Sequence, residues 1–386
     1  MNKLKMKEIA IISLTIFLTI PGLSNAAEGW QELPGTHIRD VCPPNAPVYN
    51  FYNRCANVVI AWSGGTLDTK RNRLVIFGGG HGDYRGNELY GLDLNTFTME
   101  RLTDPSTAKE IADDICEDKL PDGTPSSRHS YGGLAYIAHA DRLFVYGGSK
   151  GCGSGGFGND TWTFDFNTNT WHYMQPSGDN PGRALVASAY DPVTKKVFMR
   201  TNRYLYAYDF DNNSWERLSG DDLISGFSFK SAAIDPVRRK FVIVGGKSAG
   251  SVHVIDLSPG SNYQQTQLTT TGDTTMVQGK SPGVAYDPVN DRIVAWDGAR
   301  ESTPPIDTVY ALNLDTLIWS AHTFPNGPTQ DVTTGTFGRF AYVPSLQAIV
   351  AVSSVDENAF LLRLGDGSGN SGFAVAPDEP SNLTAE

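Results

Sequence analysis

The sequence predicts an all-β fold assembled from one four-stranded unit used repeatedly, and three observations predict it. The first is a recurring phrase: Ala189–Val197, Ala233–Phe241 and Ala285–Ile293 each read as apolar strand, Asp-Pro turn, apolar strand. Proline presets φ for such a turn, and the aspartate caps it through its side chain. Looser copies stand at Leu67–Val75, Ile137–Phe144 and Tyr342–Ile349. The second observation is that a further hairpin follows the phrase. Glu88–Leu94 turns through Asn95 and Thr96 into Met99–Leu102, and the pattern returns at Thr161–Met174, Leu205–Leu218 and Val309–His322. The third is composition, with 40 glycines, 11% aromatic and only 19% charged residues, which suits a turn-rich all-β chain. A unit returning every 45 to 70 residues or so marks a repeat architecture.

Each unit contributes four strands, a to d, joined by short turns. Four-stranded units arranged around an axis form a β-propeller, which leaves only short, protected sheet edges. Six a strands are expected, beginning near Asn57, Ser130, Ala184, Phe229, Pro282 and Phe340. The sixth unit runs out at Phe360–Leu364 with no d strand after it. Trp30–Pro34 matches the d strand at Trp215–Leu218 and is expected to supply the missing outer strand, closing the ring from the N-terminal side.

These units resemble kelch repeats. Paired glycines end strand b at Gly78-Gly79, Gly147-Gly148 and Gly245-Gly246, and aromatic residues such as Trp162 and Trp171 follow at kelch-like places. The third, fifth and sixth units lack the glycine pair, so the resemblance rests on the pattern over the chain as much as on the motif. It implies a six-bladed kelch-type β-propeller over residues 27–365.

The flanks read differently. Lys3, Lys5 and Lys7 precede an apolar run, Ile9–Ile20, and Ser24-Asn25-Ala26 supplies small residues for cleavage, so residues 1–26 read as a signal peptide. No cysteine directly follows the run, so a lipoprotein is not expected, and no later apolar stretch is long enough to span a bilayer. Residues 366–386 read as a flexible acidic tail, although Pro377–Ala385 also resembles the first strand of a fibronectin type III module. A net charge of −11 argues against nucleic acid as partner, and a monomer without a membrane partner is expected. The four cysteines are expected to pair in an oxidising compartment. Proximity favours Cys42 with Cys55 and Cys116 with Cys152, out of three formal pairings.

In such a blade the b–c and d–a loops open on one face, and the resemblance places ligand binding there, around the central channel. Both expected disulfides fall on that face. The most unusual loop is Gly78–Glu88, which packs His81, Asp83, Tyr84, Arg85 and Asn87 between glycines. No helix follows it, so it is not a phosphate-binding loop. Arg128-His129-Ser130-Tyr131 enters the second a strand from the same face. Arg183, Arg203, Lys230, Lys247, Arg300 and Arg339 fall at equivalent rim positions, where some brace neighbouring blades through carbonyls and the rest form a basic mouth. Tyr84, Tyr131, Tyr204 and Trp296 offer stacking faces for sugar rings.

Two histidines, tyrosines and arginines above a channel suit β-elimination from a uronic acid. A cation offsets the carboxylate, a neutral histidine or tyrosine removes the adjacent proton, and a tyrosine or histidine protonates the leaving oxygen. The chain is similar in blade architecture and residue types to secreted propeller polysaccharide lyases of the ulvan type. On that reading His81 is base or charge neutraliser, His129 its partner, Tyr131 or Tyr204 the acid, and Arg203 with Arg183 holds the carboxylate. Tyr84, Arg85, Asn87, Arg128, Lys230, Trp296, Arg300 and Arg339 complete the substrate-binding set. The partner is then an acidic polysaccharide or oligosaccharide. Alternatives are a non-catalytic carbohydrate- or protein-binding propeller and an acidic-sugar mutarotase, for which Glu88 and Glu301 are the available glutamates. A copper radical oxidase needs a free cysteine that four paired cysteines do not leave. No cofactor or metal is expected, since no ligand run has recognisable spacing, with a structural calcium left open.

Overall fold

The computed structural model describes residues 27–113, 116–153, 155–182, 185–219, 224, 230–246, 252–298 and 305–365. The expected leader, residues 1–26, and the acidic tail, residues 366–386, lie outside them. The described chain folds into six antiparallel sheets, each of four principal strands. Inner strands of successive sheets pack side by side in a closed cycle, from Gly64–Asp68 of blade 1 round to Phe340–Val343 of blade 6 and back. Among the described residues no helix is long and apolar enough to cross a membrane.

The alternation of side chains along each strand explains this packing. In strand b of blade 1, Leu74 and Ile76 turn into the core shared with blade 6. Val75 and Phe77 turn into the core shared with blade 2. A strand covered on both faces carries an unbroken apolar run, and Leu74–Phe77 is fully buried.

Closure occurs as expected. Gly29–Leu33 lies antiparallel on Ala359–Arg363, from Gly29 opposite Arg363 to Leu33 opposite Ala359, and becomes strand d of blade 6. Trp30 anchors it, with ring centroids 5.5 Å from Trp296 and 6.2 Å from Phe360 and its indole N–H donating to the Asp307 carbonyl at 3.1 Å.

Three local features depart from the sequence reading. Asn57–Ile60 forms a short helix, and the first a strand starts only at Gly64. The inner strand must pass against the backbone of its neighbour there: a side chain at Gly64 would sit 2.2 Å from the Tyr131 carbonyl oxygen. The β-branched run Val58-Val59 instead forms the buried side of that helix. The second a strand is broken in two. Arg128–His129 pairs with Lys150 and Ser149, Leu134–Ile137 pairs with Val145–Arg142, and Ser130–Gly133 loops out between them. Blades 3 and 5 each gain a fifth, parallel edge strand, Ser177–Gly178 and Thr271–Gly272, which covers the outer edge.

The Asp-Pro turns behave as the residue chemistry dictates. The Asp191, Asp235 and Asp287 carboxylates accept from N–H groups two and three residues on, at 2.8–3.4 Å. The disulfides are Cys42–Cys55 and Cys116–Cys152.

Candidate functional site

The site grows from the b–c loop of blade 1. The Gly80 N–H bonds the Tyr84 carbonyl at 2.6 Å, closing a tight turn that lifts His81 and Asp83. This loop leans onto blade 2: the His81 N–H donates to the Lys150 carbonyl at 2.8 Å, and the Ser127 hydroxyl donates to the Tyr84 carbonyl at 2.8 Å. The broken a strand of blade 2 presents His129 and Tyr131 to it.

His129 is the hub. Its ring packs on the indole of Trp62, 5.0 Å away at 36°, and on the imidazole of His81, 5.9 Å away at 24°. Nε2 is 2.8 Å from Asp83 Oδ2 and Nδ1 is 3.4 Å from the Tyr131 hydroxyl. With Asp83 ionised, Nε2 carries the proton and Nδ1 is the acceptor, which makes a chain Tyr131–His129–Asp83. His129 is only 5% exposed, whereas His81 faces solvent. Burial pushes the His129 pKa below its ordinary value; Asp83 opposes this, and the positive charge His81 can carry adds to it. Burial and the Asp83 charge push the Tyr131 phenol up to about 12, so it is a proton donor at neutral pH.

Aromatic rings extend the wall. Tyr131 stacks on Phe157 at 6.4 Å and meets Phe337 edge-on at 5.9 Å. Phe157 is 37% exposed and offers a flat apolar face. Backbone strain concentrates here: Trp62, His81, Tyr131 and Phe337 have φ of 50°, 47°, 47° and 48°. The left-handed region costs an L-residue about 1–2 kcal/mol, and such strain gathers at binding and catalytic sites.

Several expected contact residues turn inward. Tyr84 is fully buried and donates to Glu88 Oε1 at 2.5 Å, while Tyr90 donates to the same oxygen at 2.7 Å. Burial raises the Glu88 pKa. The Asn87 amide donates to the Ser106 hydroxyl, the Thr124 hydroxyl and the Pro125 carbonyl. Arg128 is buried against Asp160 at 2.8 Å and the Gly147 carbonyl at 3.0 Å. Arg339 is wholly enclosed, donating to the carbonyls of Ser63, Val352 and Gly335, and burial lowers its pKa to about 9. Lys230 is buried against the Gly245 carbonyl, with its pKa lowered to about 8 by burial. Trp296 is a core residue whose indole donates to the Ile306 carbonyl at 2.7 Å. For the cations the physical reason is shared: loop and strand ends next to the channel leave carbonyls that require partners, and these long side chains supply them.

The remaining residues lie elsewhere on the rim. Arg85 is half-buried, its N–H bonded to the Tyr49 hydroxyl at 2.8 Å. Arg203 is exposed on blade 3; beside it Tyr204 packs on Tyr206 and under the Arg217 guanidinium, 4.9 Å from its ring centre. Arg183, Lys247, Arg300 and Glu301 lie outside the described residues. Asp83, Trp62, Phe157 and Phe337 are the participants absent from the sequence-based set. A signal for two of them is visible: Trp62-Ser63-Gly64-Gly65 and Phe337-Gly338 echo Tyr131-Gly132-Gly133 just before an a strand. Among the described residues no group of three or more His, Cys, Asp or Glu is arranged to hold a metal ion.

Fold and site together define a six-bladed β-propeller with a loop-built site at one mouth of its channel. Residues 61–218, spanning blades 1 to 3, match the family model of the KLHDC2/KLHL20/DRC7 Kelch-repeats domain. No curated protein matches the chain.

Proposed function

We propose that the chain is an exported carbohydrate-active enzyme that cleaves a uronic-acid-containing polysaccharide by β-elimination at this mouth. The observation that carries the reading is the Tyr131–His129–Asp83 chain with an exposed His81 stacked beside it. Neutral His81 takes the proton from the carbon next to the carboxylate. The electron pair forms the carbon–carbon double bond as the glycosidic oxygen leaves. Tyr131 gives that oxygen its proton, His81 releases to solvent the proton it took, and the phenolate regains one from solvent; His129, held by Asp83, orients the phenol. Arg203, exposed on the adjacent blade, is the cation assigned to the carboxylate. Positioned proton transfer of this kind contributes about 10²–10⁴-fold. Two disulfides suit an oxidising compartment outside the cytosol.

One observation favours a second reading, a non-catalytic carbohydrate-binding propeller. Arg128, Lys230 and Arg339 are internal, while Phe157 keeps an open stacking face. The test is incubation with a panel of acidic polysaccharides, following ultraviolet absorbance of the unsaturated product. Absorbance that His81→Ala abolishes while binding persists supports the lyase. Binding with no absorbance from any uronate polymer selects the second reading.

A further inference from the structure

We propose that Lys150, tied down by the Cys116–Cys152 disulfide, is the positioning residue for His81, so that the mouth is completed only when this disulfide is closed. The kinetic consequence rests on the lyase reading; the positional claim does not.

His81 holds a strained backbone, φ 47°, between Gly80 and Gly82 on a solvent-facing turn. Such a conformation persists only where the surroundings over-determine it. Those surroundings come from blade 2. The Lys150 carbonyl accepts the His81 N–H at 2.8 Å. The Gly155 backbone lies against the imidazole, so closely that a side chain there would fall 1.7 Å from His81 Cδ2. Residues Lys150 and Gly155 belong to one tight loop. The Cys152 N–H bonds the Lys150 carbonyl at 2.8 Å, the Gly155 N–H bonds the Cys152 carbonyl at 2.9 Å, and the Ser149 hydroxyl bonds the Gly155 carbonyl at 2.7 Å.

Two ties link this loop to the long d–a insertion of blade 1. One is covalent, Cys116–Cys152, across 36 residues of sequence. The other is the Lys150 ammonium, which donates to the Cys116 carbonyl at 2.7 Å and to Asp118 at 3.0 Å with its side chain only 11% exposed. Lys150 also pairs with Arg128 in the short strand that carries His129. One residue therefore sets the spacing of both imidazoles. Neither tie touches the reacting atoms, yet opening either frees the wall on which His81 leans. A displacement near 1 Å costs about 10²-fold where proton transfer depends on it.

The experiment uses the oxidised full-length protein, Lys150→Met, Lys150→Arg and the Cys116→Ser/Cys152→Ser double variant. Each is checked for cooperative unfolding. The His81 ring resonance, identified by its loss in His81→Asn, is followed by NMR through a pH titration without ligand, and turnover on a uronate polymer is measured beside it. The expected result is a shifted or exchange-broadened His81 signal and a ten- to hundredfold lower turnover in Lys150→Met and the double variant, with Lys150→Arg restoring both. Cys116 is solvent-exposed while the Cys42–Cys55 pair is buried, so mild reductant on the native protein repeats the test without mutation. A His81 signal and titration unchanged after reduction, or in the folded Lys150→Met variant, overturns the proposal. Wild-type inactivity on every polymer removes the lyase reading and leaves the NMR comparison to decide this one.

Discussion

Asp83→Asn is the sharpest perturbation of the mouth, because it changes one charge and almost no volume. Asp83 is the group that raises the pKa of His129, by hydrogen bond and by charge; burial and His81 both act against it. Its carboxylate also accepts the Nε2 proton and so reserves Nδ1 for Tyr131. An asparagine can present its NH₂ to Nε2 and favour the other tautomer, which points a proton at the phenol. The Tyr131 phenol then accepts from Nδ1 instead of donating to it and loses the orientation that the Asp83–His129 pair sets. The expected loss is about 10²–10⁴ in turnover with little change in KM, since nothing that grips substrate is removed. The pH dependence follows from the direction of the shift. A histidine whose folded pKa lies below its unfolded value of about 6.5 resists the proton that the unfolded chain accepts. Its contribution to stability is therefore intact above that value and is lost as pH falls through it toward the folded pKa. In Asp83→Asn the folded pKa drops further and the acid loss deepens. Turnover by ultraviolet absorbance and urea midpoints from pH 8 to 4 measure both effects. A variant that keeps more than about a tenth of wild-type turnover, or shows no added acid sensitivity, refutes this role of Asp83.

Three further outcomes follow from the fold. Trp30→Ala removes the anchor of the closing strand and is expected to cost about 3–5 kcal/mol in urea unfolding, as for other large-to-small aromatic truncations in cores. Arg339→Met orphans three carbonyls between blades 6 and 1 and is expected to cost about 3–5 kcal/mol while leaving turnover per folded molecule unchanged, which a substrate-contact role would not allow. His253 is buried near Lys230 and Arg200, and burial with their charges lowers its pKa to about 4. Stability is therefore expected to fall as pH drops from 6.5 toward 4, and thermal melts of His253→Asn should show a flatter slope across that window.

Blade count, closure and disulfide pairs are legible in the sequence because each rests on short-range pattern: alternation, turn chemistry and spacing. The inward course of Arg128, Lys230 and Arg339 is not. Register places a residue at the rim, but whether a long cationic side chain faces the channel or folds back depends on which carbonyls the neighbouring blade leaves without partners. The helix at Asn57–Ile60 is hidden for a related reason, because the close approach of Tyr131 to Gly64 is a contact between blades. Asp83 and His129 are 46 residues apart, and their pairing depends on the kink at Ser130–Gly133 that no local signal announces.

The repeated Asp-Pro phrase acquires a second role once the ring is closed. Its turns meet at the face opposite the histidines, and residues of these turns bridge blade to blade. Arg71 grips Asp141 between blades 1 and 2 with both nitrogens, and His139 reaches Tyr190 and Asp211 between blades 2 and 3. Arg239 grips Asp191 between blades 3 and 4, and Arg238 grips Asp291 and Asp315 between blades 4 and 5. Asn290 and Arg292 hold the carbonyls of Leu364 and Gly365 between blades 5 and 6, and Ser345 meets Asn72 at the last boundary. Several of these pairs are partly buried, Asp191 completely, so their Coulomb gain is offset by desolvation and no single bridge holds the ring. Linked around a closed ring, they oppose the splaying of any one blade, because opening one boundary strains the next. This gives the molecule a base fastened by many weak polar ties and a mouth fastened by two covalent ones. Long, strained loops such as Gly78–Glu88 are tolerable only above such a base, since the cost of ordering them is met once, by a frame that does not move with them. The phrase that repeats for the sake of the fold is thus what allows the one loop that does not repeat to hold His81 and Asp83 in place.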